Sequence, residues 1–177
     1  MKANLYRFCP QCSQPLVERD LGEQVRRACP DHACGYVHWN NPTPVVAAVV
    51  EHEGHLILAR NSLWKVPFYA LITGFLEASD TSPEAAIARE VEEELGLQAQ
   101  ATNFIGHYSF ARQNQIIMAF HVPACGTVSL SEELSDIIRV PPADAKYWPA
   151  ATGLALRDWL LRQGHQPEEM AIPKLQG

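Results

Sequence analysis

The sequence predicts a mixed α/β domain built in layers, carried behind a short module held together by a metal ion. Three observations predict it. Strand-length apolar runs interleave with two helix-length patterns between Val45 and Arg162. Two cysteine pairs sit within residues 1–40. Between these zones lies Asn40-Asn41-Pro42-Thr43-Pro44, where proline removes donors and forces extended neighbours, as at a boundary turn. The expected division is 1–40 and 41–177.

The 177 residues are 47% hydrophobic and 19% charged, a globular rather than disordered composition. The formal net charge is −6, which argues against a broad electrostatic grip on a nucleic-acid backbone. The charge is uneven. Residues 1–40 hold five basic and four acidic side chains, whereas the remainder holds nine and sixteen. The acidity is therefore concentrated where it can hold cations. No run approaches the ~18 apolar residues that span a membrane, and Met1-Lys2-Ala3-Asn4-Leu5 opens no apolar signal core. The expected location is the cytoplasm, where five cysteines point to metal ligands or plain thiols rather than disulfides.

In chain order, the apolar run Val45–Val50 reads as a buried strand. Glu53-Gly54 reads as a tight turn into a returning strand, His55–Arg60. Ala70–Thr73 is a short strand closed by Gly74. A helix is expected over Pro83–Leu95, with Ser82 as N-cap, Pro83 in the first turn and Gly96 at the exit. Ile87, Val91 and Leu95 recur at helical spacing and form its buried stripe. Phe104–Phe110 and Ile116–Val122 read as strands, and Thr152–Arg162 as a last amphipathic helix packing through Leu154, Leu156, Leu160 and Leu161.

The first cysteine pair is Cys9-x2-Cys12, and the second is Cys29-x4-Cys34. Two pairs separated by ~15–20 residues are the spacing of a structural zinc site. Four thiolates suit tetrahedral zinc and leave no open position for catalysis. The ion would supply folding energy that so short a segment cannot draw from a core. His32 is an alternative to Cys34, because Cys29-x2-His32 also has knuckle spacing. Cys125 stands alone in an expected loop and reads as a spare thiol.

The segment Gly74–Leu97 is the most informative. Glu90, Glu93 and Glu94 fall at i, i+3 and i+4 and line one helical face beside the apolar stripe. Like charges so spaced destabilise a helix unless a cation sits among them. Hard carboxylate oxygens suit magnesium or manganese. Glu92 points elsewhere and reads as a plain surface residue.

The run Arg89-Glu90-Val91-Glu92-Glu93-Glu94-Leu95-Gly96-Leu97, opened by Gly74, resembles the Nudix box, G-x(5)-E-x(7)-R-E-U-x-E-E-x-G-U. The resemblance covers roughly residues 40–165. It implies a Nudix α/β/α sandwich with a mixed sheet, preceded here by a small zinc ribbon. It implies a hydrolase in which Glu90, Glu93 and Glu94 bind divalent ions, helped by the Thr73 carbonyl, while Arg89 orients the carboxylates. A further acidic residue comes from a later loop in many members. Glu132, Glu133 and Asp136 are the candidates and Glu133 is favoured, with Glu77 as a weaker contributor. Two departures stand out: Asp80 replaces the first glutamate, and eight residues rather than seven separate it from Arg89.

The implied reaction is cleavage of the diphosphate link of a nucleoside diphosphate joined to another moiety. Magnesium or manganese would neutralise the phosphates and acidify a water, and a carboxylate would take its proton. A zinc ribbon before a Nudix domain is similar to the NADH pyrophosphatase subgroup. NADH and an NAD-capped RNA end are therefore candidate substrates, and nucleic acid is otherwise not expected. That subgroup carries S-Q-P-W-P-F-P-x-S after the box, however, and residues 107–115 here read His-Tyr-Ser-Phe-Ala-Arg-Gln-Asn-Gln. ADP-ribose and nucleotide sugars stay open. Phe68, Phe110 and Arg112 are the candidate substrate contacts, with Trp39 and Tyr69 beside them; core or rim packing is the competing reading for each. A homodimer is implied by the resemblance. The rival function is a non-catalytic nucleotide-sensing module built from the same two parts.

Overall fold

The computed structural model describes residues 6–173. The first five residues, on which the reading of an absent signal core partly rests, lie outside the described residues, as does the end of the expected 41–177 domain. The chain divides into two compact units, the first ending at Asn41 and the second beginning at Pro42.

The first unit is a small antiparallel sheet of β1 (Val17–Asp20), β2 (Val25–Ala28) and β3 (Val37–His38). Its buried apolar set is small: Cys9, Leu16 and Cys29, with Cys34 and Tyr36 packed against them, and Ala28 at the end of β2. Two cysteine turns complete it. In one, Ser13 N–H donates to the Cys9 carbonyl at 2.9 Å; in the other, Cys29 N–H donates to the Tyr36 carbonyl at 2.8 Å.

The second unit is organised by β4 (Thr43–His52). Its stretch Val45–Val50 is apolar without alternation because both faces are buried there. Val45, Ala47 and Val49 belong to one core, and Val46, Ala48 and Val50 to the other. One edge of β4 pairs antiparallel with β5 (His55–Asn61) and then with β6 (Ile72–Phe75). The other edge pairs in parallel with a long strand, Gln115–Cys125. That strand, β9, takes β7 (Gln98–Ala99) and β8 (Asn103–Phe110) antiparallel on its far side. A final strand, β10 (Leu134–Val140), pairs with β5. The result is a mixed sheet with α1 (Pro83–Leu95) on one face and α2 (Ala151–Arg162) on the other, the layered mixed α/β arrangement that the resemblance implies.

The local physics follows the expected signals in most places. Glu53 and Gly54 both adopt positive φ, 51° and 74°, the conformation a two-residue hairpin requires. Ser82 accepts a hydrogen bond from Ala85 N–H, and Gly96 closes α1 at φ 67°. Ala86, Ile87, Val91 and Leu95 bury the inner face of α1. Each large side chain there contributes ~1.5–3 kcal/mol by leaving water.

Three expectations are corrected and one element is added. Gly74 does not close a strand; it lies inside β6, opposite Val46, while Ala70 makes only an isolated bridge to Ala59. Cys125 is the exposed last residue of β9, paired with Gln98, rather than a loop residue. Leu161 is 45% exposed; the buried face of α2 is Ala151, Gly153, Ala155, Leu156, Trp159 and Leu160, and Leu161, about 100° further round the helix than Leu160, falls past its edge. Strand β10 was not anticipated, because a register shift between Leu134 and Asp136 breaks its alternation.

Among the described residues no helix is long and apolar enough to cross a membrane.

Candidate metal centres and cleft

Each unit gathers one set of metal-ligating side chains. In the first, the sulfurs of Cys9, Cys12, Cys29 and Cys34 all lie within 4.8 Å of one another. Cys9 to Cys34 is 3.6 Å, and Cys12 to Cys29 is 3.4 Å. A tetrahedron with metal–sulfur bonds of ~2.3 Å has edges of about 3.8 Å, so the donor set fits such an ion. His32 is exposed and not in the group. Burial pushes the Cys29 thiol up to about 12. Burial opposes ionisation of Cys9 as well, but backbone hydrogen bonds from Gln11 and Cys12 win and lower it to about 7. Four thiols this close cannot all ionise alone, which is the electrostatic reason for a cation among them.

In the second unit, the exposed edge of α1 faces a cleft of about 620 Å³. Glu90, Glu93 and Glu94 line it, together with Thr73, Gly74, Glu77 and Glu133. The chain reaches this arrangement by three devices. First, Gly74 leaves room for a carboxylate: a Cβ there would lie 1.9 Å from Glu90 Cδ. Second, the loop after β9 is tied to the end of α1, where helical carbonyls lack partners; Ser129 N–H donates to the Leu95 carbonyl and Ser131 N–H to that of Glu94. The tie carries Glu133 to the glutamates, and Ser62 N–H fixes it further by donating to its carbonyl at 2.8 Å. Third, Arg89 organises the near side. Its Nε and one terminal nitrogen donate to both oxygens of Asp80 at 3.2 Å. Its other terminal nitrogen donates to Glu90 at 2.9 Å and Glu93 at 2.8 Å.

Asp80 therefore reaches the arginine in spite of its shorter side chain and the extra loop residue. The loop folds over itself to allow this, since Glu77 N–H donates to Asp80 Oδ2 at 2.8 Å. The Arg89 hydrogen bonds, and then that backbone donor, hold the Asp80 carboxyl below the usual range. Glu94 behaves in the opposite way. It is 9% exposed, and burial, followed by repulsion from Glu90, Glu133 and Glu93, pushes it up to about 8. Burial also raises Glu90, against the pull of Arg89. Several carboxylates facing one cleft without a matching cation are costly. Hard divalent ions fit that donor set.

The far wall of the cleft is aromatic. Trp64, Phe68, Phe110 and Trp148 line it. Phe68 is 5% exposed and packs edge-on against Trp148 at 5.3 Å. Arg112, exposed in a single 3-10 turn after β8, is not among the lining residues, whereas its neighbour Gln113 is. Of the other candidates, Tyr69 donates to Asp136 at 2.6 Å, Trp39 lies exposed in the first unit, and Glu132 and Glu92 are exposed and outside the lining. Sequence reasoning missed Trp64, Gln113, Gln115, Trp148 and the start of α2. Their only signal was the cluster of aromatics around Trp64 and Phe68, in a stretch without periodicity.

Comparison with known proteins gives concordant results. Residues 41–161 match the family model of the NUDIX domain. The chain is 30% identical over 133 residues, 74% of its length, to a protein named NAD-capped RNA hydrolase NudC of Stutzerimonas stutzeri, covering 46% of that protein. It is 32% identical over 139 residues, 77% of its length, to the protein of the same name from Photobacterium profundum, covering 50%. The chain thus spans about half the length of the curated relatives it matches. A crystal structure of a NUDIX hydrolase from Nitrosomonas europaea superposes with TM-score 0.71 at 20% identity, over 94% of this chain and 100% of that one, a likeness of fold.

Proposed function

The chain belongs to the NUDIX domain family, and on that premise we propose that it is a divalent-metal-dependent hydrolase. Its reaction is cleavage of the diphosphate link of a nucleoside diphosphate joined to a second moiety, of the NADH, ADP-ribose or nucleotide-sugar type. The observation that carries this reading is the convergence of Glu90, Glu93, Glu94 and Glu133 on one side of a cleft whose other side is aromatic. An NAD-capped RNA end is a candidate because relatives bear that name.

In this reading Glu90, Glu93 and Glu94, with the Thr73 carbonyl, hold magnesium or manganese. Bound there, such ions neutralise phosphate charge and acidify a water. Glu93 and Glu133, both exposed and lining the cleft, are the carboxylates assigned to take the water proton. Arg89 positions Glu90 and Glu93 and is itself held by Asp80. Phe68 and Phe110 form part of the substrate wall, and Arg112 stands outside it. The four cysteines hold a structural zinc that folds residues 1–40, ahead of a catalytic domain over 41–177. A cytoplasmic homodimer completes the proposal; light scattering of the full chain reads the oligomeric state.

The test is turnover with magnesium on NADH, NAD, ADP-ribose, ADP-glucose, nucleoside triphosphates and dinucleoside polyphosphates, counting phosphate-bearing products. Turnover on a dinucleotide or nucleotide sugar, reduced on the order of 10²–10⁴-fold in Glu93→Gln, is the expected outcome. Tight binding of one compound without turnover of any would replace the hydrolase by a nucleotide-sensing module.

A further inference from the structure

The match to the NUDIX domain model ends at residue 161, so the domain pattern does not account for the segment that follows α2. The helix closes on a left-handed glycine, Gly164 at φ 85°. Gly164 N–H donates to the Leu161 carbonyl and His165 N–H to that of Leu160, both at 3.0 Å, the paired bonds that satisfy the last carbonyls of a helix. The chain then returns to the residues that precede α2.

There it is held in register. Tyr147 N–H donates to the Glu168 carbonyl at 3.0 Å, and Met170 N–H donates to the Tyr147 carbonyl at 2.7 Å, with Tyr147 and Glu169 bridged in parallel. Tyr147 Oη also donates to the Glu169 carboxylate at 2.9 Å, and Lys146 Nζ donates to Glu168 at 2.8 Å. Met170 packs against the core on the α2 face of the sheet. Two residues on, Ile172 lines the cleft. Trp148, next to Tyr147, is buried and lines the same cleft. One backbone pairing therefore delivers both side chains to it.

A chain end is ordered only where something ties it down, because ordering costs conformational entropy. The ion pair of Lys146 with Glu168 is exposed on both sides and contributes little. The tie rests on the backbone bonds and on Met170. Ile172 lies beyond both and is 41% exposed, an aliphatic side chain held at a cleft with much of its surface uncovered. An apolar face laid on it would leave water. Trp148, Ala150, Ala151 and Thr152, which also line the cleft, carry no charge, so this stretch suits an uncharged part of a ligand.

Resting on the hydrolase reading above, we infer that the C-terminal segment Glu168–Ile172 is a wall of the substrate cleft, and that Ile172 is a substrate-binding residue covering an uncharged ring or ribose face away from the scissile diphosphate. The segment belongs to the site although it lies outside the stretch that the family pattern describes. Tyr147 acts through it as a positioning residue, since its backbone sets where Ile172 stands.

The test uses the full chain with magnesium. KM and kcat are measured on NADH, ADP-ribose and ADP-glucose, and the Kd of ADP-ribose is read in parallel by quenching of tryptophan fluorescence. Ile172→Ala and Ile172→Asn leave the charge of the cleft unchanged. Each is expected to raise KM and Kd about threefold to tenfold, with kcat within about twofold, the pattern of lost uniform binding. Tm should be nearly unchanged, and Ile172→Val should recover most of the loss. An equal rise on all three compounds assigns the contact to the adenosine diphosphate half that they share; a rise confined to one assigns it to the second moiety. Unchanged KM and Kd in both variants, or a fall in Tm without a change in either, overturns this inference and leaves the hydrolase intact. Absence of turnover with ADP-ribose still bound overturns the hydrolase reading, and the Kd series then decides on the wall by itself. Absence of both turnover and binding overturns the two together.

Discussion

The two units set their metal-ligating side chains in opposite surroundings. Among its described residues the first buries four, Cys9, Leu16, Ala28 and Cys29, two of them cysteines of its metal-ligand group, so half of its small core belongs to that group. The second has two apolar cores, one on each face of β4, and displays its carboxylates at the rim of one of them. A cation should therefore be a folding cofactor in the first unit and a functional one in the second. The difference teaches that ligand type and core size together set what a metal does: soft thiolates inside a core too small to stand alone, hard carboxylates beside a core that needs no help.

The sharpest way to break this comparison is Cys29→Ser. Removing a buried ligand should cost the first unit most of the ~10 kcal/mol that zinc supplies to such modules. Hydrogen exchange should show lost protection up to Asn41 and unchanged protection from β4 onward. Retained protection in the first unit would mean that its sheet stands without the ion.

The next effect is on the order of a few kcal/mol and concerns Glu94. Its folded pKa, about 8, lies above the ordinary value of 4.5. Between those pH values the folded state binds the extra proton, so metal-free protein should lose stability as pH rises through that window. Tm measured in chelator across the window should fall in the wild type and be flatter in Glu94→Gln. Equal slopes would show that Glu94 is not strained by its neighbours. Below pH 4.5 the two should converge, since the group is then protonated in both states.

The smallest of the three sharpens the distinction between stability and function. Gly74→Ala places a methyl where the Glu90 carboxylate now sits, and the carboxylate must move. Magnesium or manganese titration should show affinity about 10–100-fold weaker, with Tm nearly unchanged because Glu90 contributes nothing to the apolar cores. A large loss of Tm with normal metal affinity would reverse the assignment.

Much of this was legible in the chain alone. The hairpin at Glu53-Gly54, the capped helix Pro83–Leu95 and the burial of Val45–Val50 all rest on short-range signals: turn chemistry, capping and hydrophobic period. The glutamate face of α1 is equally local, since helical geometry alone sets i, i+3 and i+4 side by side. Cys9, Cys12, Cys29 and Cys34 were identified by spacing; the choice of Cys34 over His32 needed the folded turn, where the four sulfurs meet.

What only the tertiary structure decided involves groups distant in the chain. Glu133 reaches the glutamates because Ser129 and Ser131 satisfy the last carbonyls of α1, a pairing no local pattern announces. Gly74 reads as a turn residue by composition, yet its role is to leave space for the side chain of Glu90, far along the chain. Trp64, Phe110 and Gln115 share one cleft only after β8, β9 and the loop following β5 have been set in register. The sequence by itself determined the elements and their chemistry, because those depend on neighbours along the chain. Closure of the cleft, and which carboxylates are buried enough to be pushed up, depended on packing between elements, where desolvation and close approach are set.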